Sequence, residues 1–305
     1  MDWLTRMNGA LQYVEDNLAG EVDHKVLARI ACMSSHNFFR MFSFITEVSL
    51  SEYIRRRRLT LAALELQNND IKIIDLALKY GYDSPVSFSR AFCALHGVTP
   101  SQARAGGARL KAYPRISFQM SIKGEKEMDY RIETKEAFQV FGIEEVFEAE
   151  AGNPNDIGVK TPLRKPSDLW DECHANGAYD KLFAAAGELP GFVGKDLCKV
   201  HAVCDYKETE EGTFPYMLCA FCSPGSNADG YTVVDIPAHT WAIFPTGKFV
   251  WDDCGKVLGS LYKRIFSEWL PTSSYEQVGS LDMELYGGDD SHGYIEIWLA
   301  IRKKV

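Results

Sequence analysis

Two arginines in matched surroundings are the residues whose chemistry is easiest to interpret. Arg40 and Arg90 lie 50 positions apart, and each stands between two phenylalanines in the pattern Phe-x-Arg-x-Phe. A guanidinium group presents several N–H donors in one plane, so it can bind phosphate or form paired hydrogen bonds with the O6 and N7 atoms of guanine. The alternative for each arginine is a surface ion pair, and the pattern alone leaves that open.

These arginines belong to an internal repeat. The pairs related by the 50-residue shift are Phe38 and Phe88, Arg40 and Arg90, Phe42 and Phe92, Val48 and Val98, and Ser51 and Ser101. Each copy predicts a helix, a tight turn and a second helix with a buried phenylalanine stripe. The predicted helix-capping residues are Asp23, Ser34, Asp70 and Ser84. A long helix over about 49–66 is predicted to join the two copies.

The second helix of each copy is predicted to carry a binding surface. In two helices joined by a tight turn, the second helix can enter the major groove of DNA. The residues opposite the phenylalanine stripes are Ser35, His36, Phe39, Arg40, Ser43, Pro85, Val86, Ser87, Ser89, Arg90 and Cys93. An outward Phe39 or Val86 is costly in water but can contact the methyl group of thymine.

Four motifs in this region resemble the AraC/XylS family of transcription regulators. They are Ile74-Asp75-Leu76-Ala77, Gly81-Tyr82-Asp83-Ser84, Phe88-Ser89-Arg90-Ala91-Phe92 and Gly97-Val98-Thr99-Pro100-Ser101. The resemblance implies two helix-turn-helix units that bind the major groove of double-stranded DNA. The contact positions that it implies are Ser35, His36, Phe39, Arg40, Val86, Ser87 and Arg90. The placement of this domain first is similar to the right-origin-binding-protein subgroup.

A run of four arginines, Arg55–Arg58, lies in the predicted joining helix. Four consecutive helical residues point to all sides of a helix, so they cannot all follow one phosphate track. We expect a structural role first and a phosphate contact second, with at least one arginine paired with an acid such as Asp75.

The sequence after Gly106-Gly107 predicts a second class of domain. A connector with a first strand over about 115–122 fills residues 107–127, and residues 128–305 repeat one order of elements. Two strands are followed by a helix, over about 167–186 and again over about 252–270, and then by two more strands. The predicted fold class is therefore multidomain: an all-α double helix-turn-helix domain over 1–106, then an α+β domain with pseudo-twofold strand-helix-strand-strand repeats.

Motifs of this second domain resemble the GyrI-like effector-binding domain. They are Ile236-Pro237-Ala238-His239, Trp269-Leu270-Pro271, Met283-Glu284-Leu285-Tyr286 and Ile295–Ile301. The resemblance implies a pocket for small amphipathic molecules that contains a buried glutamate, and Glu284 matches that glutamate.

The residues around Glu284 fit this implication on chemical grounds. Strand alternation places Glu284 and Tyr286 on one face, where a carboxylate beside aromatic rings suits a cation. The candidate walls are Trp170, Phe249, Trp251, Trp269, Tyr286 and Trp298, of which Trp251, Trp269, Tyr286 and Trp298 are assigned to the ligand site. The alternatives are a Glu284 that faces water and aromatic residues that only pack the core.

Charge and composition support a chain of two parts. The 305 residues carry a net charge of −9, with +3 on residues 1–112 and −12 on residues 113–305. No apolar run of about 18 residues predicts a membrane span. No export signal is present, so the chain is expected in the cytoplasm with its eight cysteines reduced. Nucleotide-binding glycine motifs are absent and a single Cys-x-x-Cys pair lacks a partner, so no cofactor or metal is expected.

Together these patterns predict a transcription regulator, without enzymatic activity, that senses a small amphipathic cation. Its expected partners are double-stranded DNA, a small-molecule effector and RNA polymerase. Two alternatives stay open: a GyrI-like hydrolase in which Glu284 and a tyrosine act as acid and base, and a nucleoid protein that needs no effector. The effector, the operator, the direction of regulation and the oligomeric state are not predicted.

Overall fold

The computed structural model describes residues 3–105, 107–119, 127–149, 164–210 and 212–304. Contacts between these residues define two compact parts. We call residues 3–119 the helical unit, and residues 127–149 and 164–304 the sheet unit. Within the described ranges, none of the helices has both the length and the apolar character that a membrane crossing requires.

The helical unit contains two copies of the predicted helix pair. Its helices are α1 (Trp3–Asp16), α2 (His24–Ala31), α3 (Ser35–Thr46), α4 (Leu50–Asn68), α5 (Ile73–Lys79), α6 (Pro85–His96) and α7 (Pro100–Arg104). The pairs α2–α3 and α5–α6 are joined by α4, which confirms the expected long helix. The stripes of both second helices are buried, since Phe38, Phe42, Phe88 and Phe92 are fully enclosed.

Local capping signals begin three of these helices as predicted. The side chains of Asp23, Ser34 and Ser84 accept backbone N–H groups at the starts of α2, α3 and α6. The prediction for Asp70 is wrong, because α5 begins at Ile73 with Lys72 in the capping position and without a side-chain cap.

The face predicted to be buried on α5 is also partly wrong. Ile74 and Leu78 were expected to point inward, but Leu78 is 61% exposed and Ile74 is also exposed. The buried residues of α5 are Leu76 and Ala77. This helix carries apolar residues on several sides, so its sequence does not define one stripe.

Residues 107–119 form an extended segment on the helical unit. The expected strand over about 115–122 is wrong for Arg115–Gln119, which have no strand structure, and residues 120–122 lie outside the described residues. Side chains satisfy its backbone in place of a neighbouring strand: Asn8 bonds both the N–H and the carbonyl of Phe118, and the Tyr53 hydroxyl accepts the N–H of Ile116. Phe118 also packs near Phe42.

The sheet unit has the predicted order of strands and helices in both halves. The first half contains β1 (Arg131–Lys135), β2 (Phe138–Glu148), α8 (Pro166–Ala175), α9 (Ala178–Ala185), β3 (His201–Cys204) and β4 (Thr213–Phe221). The second half contains β5 (Thr232–Ile236), β6 (His239–Pro245), β7 (Phe249–Val250), α10 (Cys254–Arg264), α11 (Leu270–Thr272), β8 (Tyr275–Gly288) and β9 (His292–Lys303). A 3-10 turn at Trp251–Asp253 precedes α10, and a π-helix at Ile265–Trp269 follows it.

All these strands join one antiparallel sheet in the order β1-β6-β9-β8-β3-β4-β2-β5, with β7 beside β9. The order reads the same from either end when each strand is replaced by its counterpart in the other half. Strand β1 pairs with β6 of the second half, and β5 pairs with β2 of the first. The expected pseudo-twofold arrangement is therefore present, and the two halves exchange their first strands.

The two faces of this sheet carry different side chains. One face holds an apolar core that includes Val203, Trp241, Met283, Leu285 and Trp298. Alternation turns Asp282, Glu284 and Tyr286 to the other face. Hydrogen bonds from Trp170 on α8 and Tyr262 on α10 to residues of that face show that both helices cover it.

Candidate nucleic-acid interface and buried carboxylate site

The second helices of the two copies present different side chains to solvent. On α6, Val86 is 61% exposed and Arg90 is also exposed. On α3, Arg40 is half-buried, and its guanidinium carbon lies 5.7 Å from the centre of the Phe44 ring. These three side chains offer cationic and apolar groups of the kinds that contact guanine and thymine in the major groove.

Two residues of the predicted contact face are instead buried. Phe39 is 2% exposed, and its ring packs edge-on against His24 with centroids 4.9 Å apart. His36 is buried as well, and burial followed by the nearby Arg40 charge lowers the pKa of His36 to about 3. The expectation of outward side chains at Phe39 and His36 is wrong, because α2 packs over a wider arc of α3 than the stripe spacing predicts.

The two predicted serines use their hydroxyl groups inside the protein. Ser35 donates to the carbonyl oxygen of His24 at 3.2 Å. Ser87 donates to the carbonyl oxygen of Ser84 at 2.8 Å, within the cap of α6. Both are half-buried, so they present less polar surface than their position on the helices implies.

The four arginines of α4 contact groups within the helical unit. Arg55 and Arg56 both pair with Glu52, and Arg57 forms an ion pair with Glu15 at 2.8 Å. Arg58 donates to the carbonyl oxygens of Leu18 and Gly20. The structural role is therefore confirmed, although the acids are Glu52 and Glu15 and not Asp75.

Glu284 is buried beneath α8 and α10 in the sheet unit. Three phenol hydroxyls contact its carboxyl group: Tyr286 at 2.6 Å, Tyr262 at 3.1 Å and Tyr216 at 3.4 Å. The Tyr262 hydroxyl also lies 2.6 Å from Asp282 Oδ2. We call Trp170, Tyr216, Tyr262, Asp282, Glu284 and Tyr286 the carboxylate cluster.

Burial and charge keep the phenols of this cluster neutral. Burial, followed by the nearby Glu284, raises the pKa of Tyr216 and of Tyr286 well above the usual value. Trp170 completes the aromatic surround, since its Nε1 donates to the Tyr216 hydroxyl at 2.8 Å and its ring lies 4.9 Å from that of Tyr286. A carboxyl group among aromatic rings suits a cation with apolar substituents.

The structure brings together only some of the predicted wall residues. Tyr286 and Trp170 lie in the carboxylate cluster. Trp298 pairs across the sheet with Met283, so it lies on the opposite face from Glu284. Trp251 donates to the Asp289 carbonyl oxygen, and Trp269 packs against Tyr130 and Phe244. These described contacts of Trp251, Trp269 and Trp298 lie elsewhere in the unit.

Sequence reasoning missed three members of the cluster. Asp282 lies two residues before Glu284, so alternation along the strand could have found it. Tyr216 and Tyr262 come from β4 and α10, and no local pattern places them near Glu284 because strand pairing and helix packing bring them there.

A second buried carboxyl group, Glu296, lies on the apolar face and has a cationic partner. Both of its oxygens accept bonds from Arg131, at 2.9 and 2.8 Å, and Trp298 and Tyr294 also donate to it. Burial alone would raise the pKa of Glu296, but the bonds from Arg131 and Trp298 outweigh it and lower the pKa. Within the described ranges, no three His, Cys, Asp or Glu side chains are placed to share a metal ion.

Comparison with known proteins assigns both units. Residues 131–301, more than half of the chain, match the Cass2 family model, described as an integron-associated effector binding protein. Residues 27–106 match a helix-turn-helix domain model. The HTH-type transcriptional activator AarP of Providencia stuartii is 39% identical over 94 residues, which are 31% of this chain and 70% of AarP. The regulatory protein SoxS of Salmonella typhimurium is 36% identical over 94 residues, or 31% of this chain and 88% of SoxS.

Among solved structures, SAV2435 bound to tetraphenylphosphonium aligns with 57% of this chain and 94% of its own at 17% identity, with a TM-score of 0.41. The match to AarP covers the helical unit, and the Cass2 match covers the sheet unit. The chain therefore belongs to the AraC-type transcription regulators through its helix-turn-helix domain and to the Cass2, GyrI-like effector-binding proteins through its sheet domain.

Proposed function

We propose that this chain regulates transcription by binding double-stranded DNA through α3 and α6, and that a lipophilic cation bound at Glu284 controls that binding. The observation that carries the proposal is the burial of Glu284 among tyrosine and tryptophan side chains in a chain whose other unit is a helix-turn-helix domain. RNA polymerase is the further partner that we propose, and the cytoplasm, where the DNA lies, is the proposed location.

The proposed base contacts are Arg40, Val86 and Arg90, because these side chains reach solvent on the second helices. We expect Arg90→Ala to weaken binding to a selected operator by about 1–3 kcal/mol, since an arginine that bonds guanine through two N–H groups contributes that much. The operator is first selected from random DNA with the wild-type chain, and affinity is then measured by fluorescence anisotropy.

Arg90→Lys is the matched control for this contact. It keeps the charge and removes the planar pair of donors, so a base contact predicts loss with both variants. A phosphate contact predicts that the lysine retains most of the affinity. Unchanged affinity in Arg90→Ala would contradict any DNA contact by Arg90.

The proposed effector is a cation with aromatic or other apolar substituents. Tetraphenylphosphonium is a suitable probe, and triphenylphosphine oxide is a neutral counterpart. We expect Glu284→Gln to weaken tetraphenylphosphonium binding by at least about tenfold, or 1.4 kcal/mol, with a smaller effect on the neutral compound. Equal losses for both compounds, measured by calorimetry, would contradict charge sensing by Glu284.

The same incubation addresses the alternative of a hydrolase. A sensor returns its ligand unchanged, so the probe should be recovered intact by mass spectrometry after long exposure to the protein. Recovery of a hydrolysed product that is not formed by Glu284→Gln would assign turnover to this site.

A further inference from the structure

One phenol hydroxyl lies between two buried carboxyl groups. Tyr262 Oη is 2.6 Å from Asp282 Oδ2 and 3.1 Å from Glu284 Oε1. Asp282 is fully buried and Glu284 is 6% exposed. Since both oxygens contact the same atom, they lie within about 6 Å of each other, the range over which like charges strongly disfavour joint ionisation.

The number of hydrogens available to these contacts decides how they can form. A phenol carries one hydrogen, so Tyr262 can donate to only one of the two carboxyl groups. The shorter contact, to Asp282, is the one that fits donation to a carboxylate. The contact with Glu284 Oε1 is then a hydrogen bond only if Glu284 supplies the hydrogen and the phenol oxygen accepts it.

The other oxygen of Glu284 fits the same assignment. Glu284 Oε2 accepts from the Tyr286 hydroxyl at 2.6 Å, and the Tyr216 hydroxyl lies 3.4 Å away. Trp170 donates to Tyr216 and so fixes its hydroxyl oxygen as an acceptor. A carboxylic acid that donates from Oε1 and accepts at Oε2 therefore satisfies the geometry of both sides.

We propose that Glu284 carries a proton on Oε1 in the ligand-free protein and that the site exchanges this proton for a cation. The proton passes to solvent as the carboxylate forms, and the bound cation then balances its charge. Tyr262 and Asp282 act as positioning residues, because they hold the acceptor for the proton and a negative charge beside it. The exchange rests on the proposed cation sensing, whereas the protonation of Glu284 does not.

The groups that face Glu284 from each packed element are consistent with a neutral acid. They are Asp282 and Tyr286 on β8, Tyr216 on β4, Cys204 on β3, and Tyr262 and Cys254 on α10. Burial followed by the Glu284 charge raises the pKa of Cys254 to about 11, so its thiol is neutral. The one anion named in this set, Asp282, disfavours a second negative charge on Glu284.

Infrared spectroscopy tests the protonation without any ligand. We expect the wild-type chain at pH 7 to show the C=O stretching band of a buried carboxylic acid, and Glu284→Gln to lack it. Glu144→Gln is the matched control, because Glu144 also contacts a phenol, that of Tyr206, but pairs with Lys207. It should leave the band unchanged. Absence of the band from the wild type, or its persistence in Glu284→Gln, would overturn the proposal.

Two further variants address the positioning residues. Asp282→Asn removes the negative neighbour, so the acid band should disappear at a lower pH than in the wild type. Tyr262→Phe removes the acceptor and keeps the ring, so the band should shift in frequency. A band that is identical in pH dependence and frequency in both variants would exclude their roles.

Calorimetry tests the exchange. Tetraphenylphosphonium binding, measured in buffers with different ionisation enthalpies, should release about one proton, and its affinity should rise up to tenfold per pH unit. Triphenylphosphine oxide should release none. Cation binding without proton release would overturn the exchange and leave the cation sensor standing. Absence of cation binding would overturn the sensor and the exchange together, while the infrared result would still decide the protonation.

Discussion

The two buried carboxyl groups of the sheet domain differ in what stabilises them. Glu296 receives two charge-assisted bonds from Arg131, whereas phenols contact Glu284. A phenol hydrogen bond does not cancel a negative charge, and a bound cation does. The difference assigns Glu296 to the stability of the fold and Glu284 to recognition.

At this scale we expect Glu296→Gln to destabilise the sheet domain. The substitution leaves the Arg131 guanidinium without its main partner, but Arg131 is 38% exposed, so solvent screens part of the loss. The expected cost is about 1–3 kcal/mol, less than for a fully buried pair. Urea unfolding followed by tryptophan fluorescence measures it, because five of the six tryptophans lie in this domain.

Glu276→Gln is the control for this measurement. Its partner Arg302 is largely exposed, so the loss of that surface pair should change stability by less than about 0.5 kcal/mol. Equal effects of Glu296→Gln and Glu276→Gln would contradict the structural role of the Glu296 pair.

A buried histidine predicts a dependence of stability on pH. His201 is fully buried, its Nδ1 accepts the backbone N–H of Tyr286, and burial lowers the pKa of His201 to about 3. The unfolded chain binds this proton near pH 6.5, so the stability of the fold is lost as the pH falls from about 6.5 towards 3. The contribution of His201 at pH 5 is a loss of about 2 kcal/mol.

His201→Asn keeps an acceptor for the Tyr286 N–H and cannot titrate. We expect its unfolding free energy to fall less steeply between pH 7 and 5 than that of the wild type, even if it is lower throughout. Parallel curves for the two proteins, from urea unfolding at each pH, would contradict a neutral buried His201.

At the scale of elements, the turns of the two helix pairs use different residues for the same backbone shape. The chain after α5 turns at Gly81, with φ of 74°, while the chain after α2 turns at Cys32, with φ of 55°. A left-handed conformation costs a residue with a side chain about 1–2 kcal/mol more than glycine. Cys32 is exposed, so few contacts compensate for that cost.

Cys32→Gly should therefore stabilise the helical domain by about 0.5–1 kcal/mol, since glycine gains backbone freedom in the unfolded chain. The converse change, Gly97→Ala after α6, should destabilise it by about 1 kcal/mol, because φ there is 78° and no contact would crowd the added methyl group. Thermal unfolding followed by circular dichroism compares the variants. A stability loss in Cys32→Gly would show that the thiol contributes more than the strain costs.

Elements with strong local signals were predictable from the sequence. Asp23, Ser34 and Ser84 begin their helices as expected, and the 50-residue repeat placed both pairs and the long α4. The strand and helix order of the sheet domain also followed from alternation and spacing. Glu284 and Tyr286 were placed correctly on one face because strand alternation has a fixed period of two.

Features that depend on tertiary packing were not predictable. The burial of Phe39 requires the packing of α2 over α3, and the bonds from Tyr216 and Tyr262 to Glu284 require strand pairing and helix packing across long sequence separations. Trp298 had the right residue type for a ligand wall, but its register opposite Met283 turns it to the other face. Residues 115–119 alternate like a strand and yet bond to helical side chains.

At the scale of the whole molecule, one chain joins a DNA-binding domain to a cation site. Net charges of +3 on residues 1–112 and −12 on residues 113–305 suit phosphate on one side and a cation on the other. We expect saturating tetraphenylphosphonium to change operator affinity by about 5- to 150-fold, the usual range of coupling between sites. Anisotropy titrations with and without the probe measure the change.

Glu284→Gln should abolish this response and leave operator affinity without the probe unchanged, because the substitution lies outside the helical unit. An equal response in the variant, or no response in the wild type, would contradict control of DNA binding through Glu284. Reciprocity provides an internal check, since operator DNA must change the affinity for the probe by the same factor.

The exchange of β1 and β5 between the halves has a mechanical consequence. Each half is fastened to the other by a strand laid along the far edge of the shared sheet, as when two people each hold the other's sleeve. A protease that cut the connection over 222–231 would sever the peptide and leave both fragments clasped. The nicked protein should still migrate as one particle and separate only in denaturant.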